Sequence, residues 1–145
     1  MEEAMLIEIL KEVQKKSQCI LEIERITKEI GEALSRNDRT SVQLLLGMRQ
    51  EEMDNGDISE NNIQRLISVL EGEDRQKVIS LLSGEEYKKT ETLLEKKIVE
   101  KCKNMQMVLK RTIDLDRHIS LRLAGKDSFY QRERLIDHNG PPFEE

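Results

Sequence analysis

The side chains of this chain that could do chemistry are few and poorly grouped. His118 follows Asp114 by four positions, so on a helix the two share a face. Two ligands do not make a metal site. The Glu-x-x-His spacing of di-iron bundles also fails here, because position 115 is Leu. His138 has no partner close in sequence, and neither Cys19 nor Cys102 has a histidine near it. The seven glycines are scattered singly, which leaves no phosphate loop. The many carboxylates read as solvated helix surface. The pairs Lys96–Glu100, Lys110–Asp114 and Asp114–His118 are ordinary four-residue neighbours. The expectation is therefore a protein that is not an enzyme, with no catalytic residue, no metal and no cofactor.

Apolar anchors are a better candidate for function. The chain has four aromatic side chains and no tryptophan, and Phe129, Tyr130 and Phe143 all lie beyond Gly125. Leu135 and Ile136 add a small apolar pair there, and Asn139-Gly140-Pro141-Pro142 ends any helix. Large apolar side chains set outside a core are the kind that anchor a segment when it orders on a partner. The plain alternative is an ordinary frayed tail.

The elements that would carry such a tail are helices. Leu6, Val13, Ile20, Thr27 and Leu34 recur every seven residues, with Ile9, Ile23 and Ile30 between them, Leu10 widening the stripe and Lys16 as a polar break. That heptad seam predicts a helix from 3 to about 35. Gly31 within it costs about 1 kcal/mol against alanine, which close approach of a neighbouring helix would explain. A second seam runs through Leu94, Ile98, Cys102, Met105, Leu109, Thr112, Leu115, Ile119 and Leu123. It predicts a helix over about 85–124, nearly 60 Å long at about 1.5 Å per residue. Its part up to Thr112 is expected to pair with the first helix, and its last turns, from Ile119, to be half-occupied.

Shorter helices are expected between the two. Ser35-Arg36-Asn37-Asp38 stops the first, and Asn37, Asp38 or Thr40 caps the next, over about 40–54. Val42, Leu45, Leu46, Arg49 and Met53 mark its inner face, while Leu44 and Met48 fall off the stripe as an exposed apolar edge. Asn55-Gly56-Asp57 reads as a turn. Ser59 then caps a third helix with Ile63, Leu66, Ile67 and Leu70 on one face, and a short helix follows from Asp74 to Gly84. The fold class is all-α: an elongated antiparallel helical bundle with two long helices, a bundle domain over 1–125 and a flexible tail over 126–145.

Charge excludes several partners. The net charge is −5, with 37% of residues charged, as suits long solvated helix faces. Residues 1–84 carry 11 basic and 17 acidic groups, against 10 and 7 in 85–124, so complementary helices are expected rather than a nucleic-acid stripe. No stretch approaches 18 apolar residues, so no membrane insertion is expected. The acidic start MEEAMLIEIL lacks a signal-peptide layout. Two cysteines beside apolar seams fit a reduced, cytoplasmic protein.

The order of parts resembles the FlgN-type flagellar export chaperones, and more loosely their FliT-type relatives. The resemblance rests on Ala33-Leu34, then Asn37-Asp38, then Leu44-Leu45-Leu46 with Arg49, and on a long last helix running into Tyr130. It covers about residues 3–130. In the family a Tyr and a Gly stand close together in the tail; here Tyr130 and Gly140 are ten apart and Pro-Pro follows. The resemblance implies a cytoplasmic chaperone without catalytic activity. It would bind the C-terminal helices of hook-associated (hook–filament junction) proteins, prevent premature assembly and deliver them to the flagellar export apparatus. It places the partner-binding surface at Ile119, Leu123, Phe129, Tyr130, Leu135 and Ile136. The competing expectation is a self-associating coiled-coil adaptor, a homodimer through its long seams, with no secreted client.

Overall fold

The computed structural model describes residues 2–84 and 92–124, with the backbone alone for 123 and 124. Four helices make an all-α bundle: α1 (Glu3–Ser35), α2 (Arg39–Ser68), α3 (Gly72–Ser83) and α4 (Leu93–Ala124). The α1 heptads hold with one change: Leu6, Ile9, Leu10, Val13, Ile20, Thr27, Ile30 and Leu34 are buried, whereas Ile23 is half-buried and Ile26 takes the core position beside it.

The link from α1 to α2 takes three residues. Asn37 adopts a positive φ of 59°, the left-handed conformation that closes a helix end. The backbone N–H of Asn37 then donates to the Leu34 carbonyl (3.0 Å), and that of Asp38 to the Ala33 carbonyl (2.9 Å). Asp38 serves both helices, because its carboxylate accepts the Ser41 backbone N–H at 3.1 Å and so caps α2. The chain reverses tightly, and α2 returns antiparallel along α1. Lys16 meets Glu60 and Thr27 meets Arg49, so the residue numbers run in opposite directions.

Three expectations about the middle of the chain are corrected. Asn55-Gly56-Asp57 is not a turn, Ser59 does not cap a new helix, and a single 30-residue helix replaces the two short ones. Packing against α1 explains this. Ser59, Ile63 and Ile67 are buried, and a Cβ on Gly56 would stand 3.7 Å from the Cys19 Cβ, an ordinary contact distance. The helix penalty of one glycine, about 1 kcal/mol, is small beside the burial of such a face. Next, α3 begins at Gly72 (φ 56°), ahead of the expected Asp74, and ends as expected at Gly84 (φ 71°). Finally, α4 starts at Leu93 rather than near Glu85, with the Thr92 hydroxyl accepting the Glu95 backbone N–H at 3.2 Å. Residues 85–91 lie outside the described residues.

The two long end helices run parallel, not antiparallel. Glu24 pairs with Arg111, Gly31 packs on Ile119 and Ser35 meets Arg122, with both numbers rising together. The α3 helix is parallel to α4 as well, through Lys77–Glu95 and Ser83–Gln106. Helix α1 lies between α2 and α4 and contacts both along their lengths, whereas α3 packs mainly on α4.

The core is divided in two. A lower cluster draws on all four helices, through Ile9 and Val13, Ile63 and Ile67, Val78 and Leu81, and Ile98 and Cys102. An upper cluster draws, among the described residues, on three helices, with Ile26, Ile30 and Leu34 of α1 against Val42 and Leu45 of α2 and Ile119 of α4. Gly31 explains the closeness there, since a Cβ on it would stand 2.9 Å from Ile119 Cδ1.

Candidate functional site

Among the described residues the upper half has no fourth helix, and that face is the candidate site. The α3 helix stops at Gly84, where the Gln106 side-chain amide donates to the Ser83 carbonyl at 2.7 Å. The α4 stripe that α3 meets runs through Glu95, paired with Lys77, to Lys103 and Gln106 beside Gly84. One to three turns further on, that stripe presents Leu109, Lys110, Ile113 and Arg117. Leu109 and Ile113 are 44% and 48% exposed. The expected α4 seam is thus shifted at its centre, with Val108 buried at 3% where Leu109 was expected. Val108 and Thr112 are buried, whereas Leu109 and Ile113 are exposed and by register lie on the side that α3 takes lower down.

The opposite wall is α2. Arg49 reaches across from it, and its Nη1 donates to Thr27 Oγ1 (3.0 Å) and to Asp116 Oδ1 (3.2 Å). The contact sets Arg49 level with Asp116 and forms a polar floor between the two apolar clusters. Met53, one turn below Arg49, was expected to be core and is instead 40% exposed. By register it stands level with the Leu109–Ile113 pair. Leu44 and Met48 are exposed, as expected, but on the far side of α2 from Arg49 and Met53.

A second polar contact backs the site. Arg111 Nε and Nη2 donate to the two carboxylate oxygens of Glu24, at 2.5 and 2.9 Å. The fork geometry suits a guanidinium and a carboxylate. These bonds hold the Glu24 carboxyl below its usual range, against the burial that would raise it. Lower down, Lys16 and Gln64 donate to Glu60 at 2.8 and 2.7 Å. Burial pushes the Cys102 thiol up to about 11. Burial and the neighbouring Glu52 carboxylate raise Cys19 too, and both thiols are free. Neither group has the lowered pKa of a thiol nucleophile.

The partner-binding residues expected from the sequence fare differently. Ile119 is not half-occupied: it is buried against Gly31 in the upper cluster. Leu123 belongs to α4, and its side chain lies outside the described residues, as do Phe129, Tyr130, Leu135 and Ile136. Sequence reasoning missed Leu109, Ile113 and Met53 as surface. The available signal was the i, i+4 spacing of Leu109 and Ile113 beside the α4 seam, together with the shortness of the segment preceding Gly84.

Among the described residues no group of three or more His, Cys, Asp or Glu side chains could hold a metal ion. No helix there is long and apolar enough to cross a membrane. No family model matches the chain, and no curated protein or solved structure gives a significant match.

Proposed function

We propose that the protein is a non-catalytic, cytoplasmic helix-binding chaperone of the kind that FlgN-type flagellar export chaperones represent. Its clients are hook-associated proteins, whose C-terminal amphipathic helices it covers until they reach the export apparatus. The observation that supports this most is the exposure of Met53 on α2 and of Leu109 and Ile113 on α4 at one level above Gly84, where no fourth helix stands among the described residues. A helix on a face of this kind buries one apolar stripe and leaves its polar face wet, so it can be taken up and released. Leu123, Phe129, Tyr130, Leu135 and Ile136, which the resemblance assigns to the client, are proposed to bind it as well. The chain itself has no role in bond making.

Affinity purification of the full chain from motile cells tests the proposal. Recovery of a hook-associated protein, lost when that client's C-terminal helix is deleted, is the expected result. Recovery of no exported protein would remove the chaperone reading. The exposed pair Leu109 and Ile113 also favours a second reading, self-association as a homodimer. Sedimentation over a dilution series separates the two, because a chaperone without client stays monomeric.

A further inference from the structure

We infer that α4 is built in two parts, and that the upper part, beyond Val108, opens from α1 as one unit while the rest of the bundle stays folded. The lower part is anchored by apolar packing, with Ile98, Val99, Cys102, Met105 and Val108 all buried. Between Val108 and Ile119, about three helical turns, the only buried side chain of α4 is that of Thr112. Its hydroxyl turns back to the Val108 carbonyl of its own helix at 2.7 Å. Leu115 is only partly buried. Ile119 then rests against Gly31, which has no side chain to enclose it. Such an opening is independent of the chaperone reading.

What joins the upper part to the bundle over those turns is a belt of polar contacts. Arg111 holds both carboxylate oxygens of Glu24 on α1, although its own side chain is 60% exposed. Asp116 accepts from Arg49 of α2, which also donates to Thr27 of α1. Among the described residues no Cα of α2 lies within 8 Å of a Cα of α4, so α2 reaches the upper part through the length of a side chain such as that of Arg49. Charged contacts at a wet surface exchange readily for water, whereas packed apolar faces do not. Few buried apolar contacts also place a segment at the low end of local stability. Helices α1 and α2 stay together without the upper part of α4. Their three-residue link, the Asp38 cap and the packing of Ile26, Ile30 and Leu34 with Val42 and Leu45 hold them. The belt is thus the joint. Opening there moves Leu109 and Ile113 relative to Met53, and it bares Ile119 and the α1 surface around Gly31.

The test is amide hydrogen exchange of the full chain, read residue by residue by NMR in sub-denaturing urea. The amides of 112–120 should converge on one exchange rate, at least about tenfold faster than those of 98–105, because they are freed by one shared opening. The amides of 26–34 in α1 should stay slow. Asp116→Asn removes the charge that Arg49 meets, and it should speed 112–120 by about tenfold while leaving 98–105 unchanged. If that variant loses the native circular dichroism, Arg111→Met, at a side chain largely in water, takes its place with the same expectation. Rates that rise evenly toward Ala124, without convergence, mean that the helix end merely frays, and they overturn the inference. Equal rates in 112–120 and 98–105 make α4 one cooperative unit and overturn it too. A folded variant that speeds both parts alike, or neither, shows that the belt is not the joint.

Discussion

Gly31 offers the sharpest test of how α1 and α4 meet. Replacing it with alanine adds a Cβ at a point 2.9 Å from Ile119 Cδ1 and 3.3 Å from Cγ1. The helix interior favours alanine over glycine by about 1 kcal/mol. Overpacking a tight contact costs about 1–3 kcal/mol. The obstructing atom is the end of a flexible side chain, so the lower part of that range applies, and Gly31→Ala should be neutral or destabilising by about 1 kcal/mol. Ile119→Val removes the obstructing methyl and alone costs about 1 kcal/mol. Together they relieve each other: the double variant should be about 1 kcal/mol more stable than the single effects imply. Urea denaturation followed by circular dichroism at 222 nm measures all four proteins. Additivity within about 0.5 kcal/mol, with Gly31→Ala stabilising by the full helix-propensity gain, would refute the parallel packing of α1 on α4 at this level.

Three further outcomes are expected. Glu24 is held below its ordinary pKa by Arg111, so its contribution is present above the unfolded carboxylate value near 4.5 and is lost as pH falls through the depressed folded value; the urea midpoint should drop on the acid side, and less steeply in Arg111→Met. Cys102 is buried with its thiol pushed up to about 11, so at pH 8 it should resist a thiol reagent in the native protein and react once urea unfolds the chain. Asn37→Ala should cost about 1 kcal/mol because alanine tolerates the positive φ poorly, while Asn37→Gly should cost nothing measurable by the same denaturation assay.

The α1 helix was legible in the sequence because one strong period, with no proline and a single glycine, runs from Leu6 to Leu34. Its cap was legible because Asn and Asp do specific local work at a helix junction. The middle was not, since Asn55-Gly56-Asp57 has the local chemistry of a turn, and only contact with Cys19 and its neighbours on α1 keeps it helical. The direction of α4 relative to α1 was also hidden, because an apolar stripe pairs equally well either way. The face above Gly84 was the hardest to see. Leu109 and Ile113 look like core by type, and what exposes them is the end of a different helix at Gly84. Ile119 looked free because it is near the end of a seam, yet the glycine that receives it lies 88 residues earlier in the chain, at Gly31.

We propose that the face above α3 holds a client helix. A photo-crosslinking amino acid placed at position 113 of the full chain in motile cells addresses it directly, with position 107, exposed on another face of α4, as the control. An adduct is expected at 113 and not at 107, with the linked peptide in the C-terminal amphipathic helix of a hook-associated protein. Equal labelling from both positions, or an adduct only with a second copy of this chain, would contradict it.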